Sequence, residues 1–547
     1  MKKLLAILLS AMMLLVLVAA CVPAEEDQVT PPSGSDGTQS TDPTPAPAPD
    51  PTPAVPDGPP TEVSIWFNGG NADNDDTLVV EAVNARLQEL GLNITIRPIW
   101  TGGWGMGDPA QIALNTADAS IDIFWTGSWG LNYFNNAQIG NFIRLDDPNN
   151  NLLQRYGQDV MAEVDELLWD AFTTEGPSGR GLYGVPGPKD SAAWFKLEIN
   201  NDRLVELGFD FDEIFSMTES NHEIIFDPIF EEIMQAAKDF YGDSFFPLNL
   251  EAGNFLNNFS ATDGDLTGIN AFHFPFDPDN PALPARPEVT LQVENELYMR
   301  VLERTRDFWN LGFVDPRLAI GDDAGIDRGE ILRAGEFIFS TGQYAYGHTA
   351  TVREERGLDI RFVPLSRVPI VSTMSAAGSG FAISVYSRNQ EAAMQFLNAW
   401  YTDNTLTVLL SEGVEGIHWN PDANGLVVLD TEARDSIPYH TWRFGMGNVF
   451  MLTPRNTDGA EYIEGFRAYN DLGVGTAFLG FVFDSEPVAI QAAAMRNVVD
   501  EFRTPLTVGG MDLDTAVPAY IAALKSAGAD DVLAELNRQL DEFFAGR

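Results

Sequence analysis

Five aromatic residues follow or flank strand-like stretches, where a flat ring is offered to a ligand: Trp129, Tyr133, Trp194, Tyr344 and Trp419. Four polar residues share those settings: Asn68, Asp190, Gln343 and Glu415. Aromatic faces suit the C–H faces of sugar rings, and amides and carboxylates can hydrogen-bond the hydroxyls of the same ring. The chemistry this set predicts is noncovalent capture of a carbohydrate. Core packing is the competing use of each ring. It weighs least on Trp129, which lies between Gly127-Ser128 and Gly130 in a loop-like run.

Covalent chemistry finds little support. No Gly-x-Ser-x-Gly elbow and no Gly-x-x-x-x-Gly-Lys-Ser/Thr phosphate cradle occurs. His222-Glu223 lacks the second His that a helical zinc motif requires, and the five His are not closely paired. Asn420-Pro-Asp422-Ala-Asn424-Gly425 is loosely calcium-loop-like, but Thr431 stands where a bidentate Glu belongs, so a hairpin turn is expected there. No metal ligand and no cofactor is assigned. The 80 acidic residues guarantee many carboxylate pairs, so a surface glycoside hydrolase stays open as an alternative.

The single cysteine, Cys21, has a chemistry of its own. It follows Lys2-Lys3, an apolar run from Leu4 to Val18, and Ala19-Ala20. A charged start, a short apolar core and small residues before a cut make a secretory signal over residues 1–20. Val18-Ala19-Ala20-Cys21 resembles the bacterial lipobox, in which the thiol receives a lipid and the chain is cut before it. Each buried methylene of such a lipid contributes ~0.8 kcal/mol, so several acyl chains make a firm anchor. Residues 21–60 then read as the lipidated Cys and a disordered Pro-rich tether, PTPAPAPDPTPAVPDGPP at its heart. At ~3.1 Å per residue this tether reaches about 120 Å when extended.

The elements that must position the site begin after the tether. Glu62–Phe67 reads as a strand, Leu78, Val79, Val83, Leu87 and Leu90 recur at helical spacing, and Gly91 stops that helix. Leu92–Ile96 and Ile121–Trp125 read as further strands, with a helix opened by Asp108-Pro109 between them. Strands alternating with helices argue an α/β architecture. Later segments repeat the pattern: a strand Trp194–Ile199, helices 294–311 and 390–401, and two amphipathic helices between 515 and 544 separated by Gly528. Functional side chains in such folds lie at the C-terminal ends of strands, the setting that the nine binding candidates share. The formal net charge is −48, with only six Lys, a surface that repels nucleic acid and anionic lipid.

The signal, lipobox, tether and α/β body together resemble the extracellular family 1 solute-binding lipoproteins of ABC transporters. The similarity is to the LipO-like branch, whose C-terminal region is a domain of unknown function. It is carried by Asp122-Ile123-Phe124-Trp125-Thr126-Gly127-Ser128-Trp129, Leu182-Tyr183-Gly184-Val185-Pro186, Glu412-Gly413-Val414-Glu415-Gly416-Ile417-His418-Trp419, Gly480–Val488 and the closing helices Tyr520–Phe544. The resemblance implies a two-lobed periplasmic-binding-protein-like fold. Each lobe would be a mostly parallel sheet flanked by helices, with hinge strands at Val185–Pro188 and near 369–378. Lobe one is expected at 61–186 plus 328–370, and lobe two at 187–327 plus 371–547. The implied partners are a small-molecule ligand, a sugar or oligosaccharide, and ABC permease subunits. The implied setting is a monomer on the extracellular face of the cell membrane, held only by its lipid, without enzymatic activity and without nucleic acid. A receptor for a peptide or other non-sugar solute is the remaining alternative, since one fold serves many solutes.

Overall fold

The computed structural model describes residues 58–545, apart from 71–72, 101–106, 252–253, 279–285, 325, 345, 348, 350–351 and 354–355. The signal, Cys21 and nearly all of the tether lie outside the described residues. The described residues form one compact unit, built around two large hydrophobic cores.

The first core contains the expected βαβ start. Thr61–Phe67 pairs in parallel with Ile94–Trp100 on one side and Ile123–Thr126 on the other. The helix Thr77–Glu89 buries Val79, Val83 and Leu87 against them, and Gly91 ends it with φ 77°. Gly380–Ile383 and then Val185–Pro186 extend this sheet, both antiparallel to their neighbours. The second sheet runs Ile360–Pro364, Trp194–Asn200, Phe339–Tyr344, Leu248–Asn249. Its first two pairings are antiparallel and its last is parallel. The α/β class and two-lobed plan stand, but the sheets are mixed rather than mostly parallel. Parallel neighbours need a crossover within one lobe; a strand that arrives from the other lobe is free of that constraint.

The segments divide between the lobes differently from the expected division. Residues 328–370 supply Phe339, Val363 and Leu365 to the second core, and residues 371–469 supply Phe381, Phe396 and Trp400 to the first. The chain therefore crosses between cores three times: between Ala192 and Leu197, between Leu365 and Val371, and between Tyr469 and Phe478. The crossings are hydrogen-bonded side by side. Ala193 and Ile370 exchange backbone bonds of 2.8 and 3.0 Å, and Ile370–Val371 pairs with Val474–Gly475. The expected hinge near 369–378 overlaps the second crossing, the one expected at Val185–Pro188 lies several residues early, and the third had no expectation. Val185–Pro186 is an edge strand of the first sheet instead.

A buried acid braces this hinge. Asp263, 4% exposed, accepts a hydrogen bond from the Thr476 hydroxyl on the third crossing. Burial pushes its carboxyl up to about 7, against the lowering pull of the Thr476 and Ser372 hydroxyls. The C-terminal helices Ala489–Thr507, Leu513–Ser526 and Ala529–Ala545 pack on the second core through Met495, Leu524, Leu536 and Leu540.

Candidate functional site

The strand Ile123–Thr126 ends at the inter-lobe side in a tight loop. Gly127 N–H donates to Gly130 O at 3.0 Å, and Ser128 N–H to Ala377 O at 2.8 Å. The loop lies so close to Gly378 that a Cβ on Gly127 would sit 2.7 Å from its carbonyl oxygen. Trp129 projects from this turn with 50% of its surface exposed. Its indole N–H donates to Gly378 O at 2.7 Å. Its ring leans on Trp125 (centroids 5.1 Å apart) and Trp442 (5.8 Å). Trp125 is buried, and its N–H donates to Ser379 Oγ at 2.8 Å. Trp442 seats over Gly69, where a Cβ would lie 2.6 Å from that of the Trp. One tryptophan is thus held by its edge while half of its surface stays exposed, an arrangement that suits a stacking platform.

Polar groups adjoin the platform. A Cβ on Gly378 would lie 3.4 Å from Lys189 Nζ, which places the ammonium beside the carbonyl that Trp129 uses. Lys189 forms an ion pair with Asp190, and Asn470 Nδ2 donates to Lys189 O at 2.6 Å. The next aromatic group stands beyond them. Tyr346, from the stretch after the lobe-two strand Phe339–Tyr344, stacks on Phe466 (5.7 Å) and lies 5.6 Å from Tyr462 and 6.0 Å from Tyr469. Burial, Asp458 and Asp190 raise the Tyr462 hydroxyl above its ordinary range, against the pull of Arg443, so it remains a donor. Trp194, half-buried, is T-shaped against Tyr469 at 5.6 Å, and its backbone N–H donates to the Tyr469 hydroxyl at 3.2 Å. A run of contacts thus links Trp129, Lys189–Asp190 and Trp194 along a lobe-one rim beside the first crossing, with Tyr346 of lobe two at its end.

Of the nine expected binding residues, the structure brings Trp129, Asp190 and Trp194 to this rim. Asn68 stands behind it at the end of its strand, 2% exposed, with neither amide atom hydrogen-bonded among the described residues. Tyr344 and Gln343 occupy the strand opposite Trp194 and Phe195, but their side chains lie outside the description.

Two expectations are corrected, those for Tyr133 and Trp419. Tyr133 is fully buried; its hydroxyl donates to Phe172 O at 2.7 Å and accepts from Tyr183 N–H at 3.0 Å. It starts the helix Tyr133–Gln138, capped by Asn132, and that turn aims the ring into the core. Trp419 is 7% exposed, packs with Val408 and Val427, and donates its N–H to Gly413 O at 3.1 Å. Glu415 is exposed next to that hairpin and is bridged through its backbone to Trp419. The stretch Asn420–Gly425 is the expected hairpin turn, with Asp422 Oδ1 accepting from Asn424 N–H and Leu426 N–H.

Sequence reading missed Trp442, Tyr346 and Tyr462. Trp442 has Gly445 close by, as Trp129 has Gly127 and Gly130, but follows no strand, so strand-end reasoning passed over it. Motif residues Asp122 and Glu412 are structural. Asp122 accepts from Ser64 N–H and Oγ, each at 2.9 Å. Glu412 is fully buried and ion-paired to Arg455 at 2.8 Å. A second inter-lobe space, about 720 Å³, lies between Thr173, Glu175 and Arg180 of lobe one and Phe481, Arg538 and Glu542 of the C-terminal helices' side. Its charges are mutually engaged: Arg538 pairs with Glu535 and Glu542. Among the described residues no cluster of His, Cys, Asp or Glu is arranged to hold a metal ion, and no helix is long and apolar enough to cross a membrane.

This architecture is that of the two-lobed solute-binding proteins. Residues 477–545 match a domain of unknown function, DUF3502. A carbohydrate ABC transporter substrate-binding protein of Streptococcus pneumoniae is 23% identical over 498 residues, covering 90% of this chain and 93% of the relative. Among solved structures, the N-glycan transport solute-binding protein NgtS of Streptococcus pneumoniae superposes with a TM-score of 0.69 at 21% identity, covering 89% of this chain and 99% of that one. The alginate-binding protein AlgQ2 superposes with a TM-score of 0.57 at 14% identity, covering 89% and 99%. The resemblance to ABC-transporter solute-binding proteins that end in a domain of unknown function is shown by these matches.

Proposed function

We propose that this chain is a lipid-anchored, monomeric receptor on the extracellular face of the membrane, which captures a sugar or oligosaccharide between its lobes and passes it unaltered to an ABC permease. The observation that carries the reading is Trp129: half-exposed, fixed by its N–H to Gly378 O, and braced by Trp125 and Trp442. The Lys189–Asp190 pair beside it supplies a donor and an acceptor for sugar hydroxyls. The S. pneumoniae relatives named for carbohydrate and N-glycan transport support the same ligand class.

A thermal-shift and calorimetry panel tests this. It contains mannose–GlcNAc oligosaccharides, alginate oligosaccharides and short peptides, with chromatography of each glycan after incubation. At 100 times its dissociation constant a true ligand adds about 2.7 kcal/mol to stability. Stabilisation by a glycan that is recovered intact is expected. Stabilisation by peptides alone, or reproducible glycan cleavage, overturns the reading.

A further inference from the structure

The contact between Tyr346 and the helix Tyr462–Asp471 joins the two lobes by reciprocal insertion. Tyr346 and Gly347 follow the lobe-two strand Phe339–Tyr344, whereas Tyr462, Phe466 and Tyr469 belong to the lobe-one core, against which the Tyr346 ring packs. The helix presents Gly465 where the Tyr346 hydroxyl arrives, and a Cβ there would overlap it. In the opposite direction Tyr462 arrives at Gly347, where a Cβ would lie 2.7 Å from Cε2 of the ring. Gly347 has φ 80°, a conformation glycine adopts freely. The Tyr462 hydroxyl donates to Tyr346 O at 3.5 Å.

Each lobe thus offers one tyrosine and one glycine, and each ring occupies the space that the other side's missing side chain leaves. A glycine within a helix weakens it relative to alanine, so helix formation gives no reason for Gly465. Passage of the Tyr346 ring does.

The geometry points to a latch: Tyr346 over Gly465, and Tyr462 over Gly347, are positioning residues that hold lobe two closed against the lobe-one face that carries Trp129, the Lys189–Asp190 pair and Trp194. The latch lies against that face through Tyr469, which touches both Tyr346 and Trp194. A protein whose binding-competent arrangement is only partly populated binds with affinity reduced by that fraction. Loosening the latch therefore weakens capture without touching a ligand contact. Only this last consequence rests on the capture reading; the lobe arrangement does not.

The test uses the full chain carrying Cys21→Ser, with spin labels at Glu81→Cys on lobe one and Glu303→Cys on lobe two, both exposed positions. Distances are measured by double electron–electron resonance without ligand. Gly465→Ala should shift the distribution to longer distances while leaving the melting temperature equal or higher, since alanine favours the helix. Tyr346→Ala should shift it as well. The double variant should match Tyr346→Ala alone, because removal of the ring removes the clash. With Man1GlcNAc as probe, Gly465→Ala should weaken binding at least fivefold, chiefly through faster dissociation. An unchanged distance distribution in both single variants overturns the latch, as does a double variant whose shift is the sum of the two. Failure of the probe to bind wild type bears on the ligand reading, and the distances still decide the latch.

Discussion

Trp129 and Trp419 look alike in sequence and differ in the folded chain. Each sits near glycines, each follows a motif shared with the same family, and each donates its indole N–H to a glycine carbonyl, Gly378 O and Gly413 O respectively. Hydrogen bonding therefore does not separate them. What covers the ring does. Trp419 lies in a hairpin closed by Val408 and Val427 and is 7% exposed; Trp129 leans on two other indoles and is 50% exposed. A ring can serve as a binding surface when its edge is tied down and much of its surface still reaches solvent.

Three substitutions sharpen or break this contrast. Trp419→Ala should have the largest effect, on stability: loss of a buried indole costs roughly 3–5 kcal/mol, read as a fall in melting temperature, with ligand affinity of the folded protein unchanged. A variant that melts like wild type would mean the hairpin does not rely on that ring. Tyr133→Phe should come next. It removes a buried hydroxyl that serves Phe172 O and Tyr183 N–H, at about 1–3 kcal/mol, measured by denaturant unfolding, again without change in affinity. Trp129→Ala should have the smallest effect and the only one on binding. A lost stacking contact of about 0.5–1.5 kcal/mol is roughly a twofold to tenfold rise in Kd, with the melting temperature of the free protein nearly constant. Arg538→Ala, on the 720 Å³ space at the other inter-lobe position, is the control. Affinity lost there and retained in Trp129→Ala would move the ligand away from the indole platform.

Periodic elements were legible in the sequence. Helices expected at 294–311 and 390–401 are found at Glu296–Asn310 and Gln390–Thr402, because their apolar residues recur at the helical spacing and face one core. Lobe membership was less legible. Nothing local in Phe339–Tyr344 says that it pairs with Trp194–Asn200 rather than with the first sheet; register between distant strands is decided by partners, not by the strand itself. The site was read in part for a similar reason. Trp129 announced itself through its small neighbours. Tyr133, four residues on, was misread because the Asn132 cap that turns its ring inward is a three-dimensional event. Tyr346 could not be assigned, since its significance comes from Gly465, more than a hundred residues away.

The interleaving of the lobes has a consequence for how the chain is made. Ile123–Thr126 gains its second neighbour only when Gly380–Ile383 exists. At a synthesis rate of ~5–20 residues per second, the intervening stretch takes roughly 13–50 s to appear. Throughout that interval the young sheet has an unsheltered border, the kind of edge to which stray strands adhere. Neither half can be finished early or cut out as a continuous fragment, so both must be completed nearly together, late in the life of the nascent polypeptide.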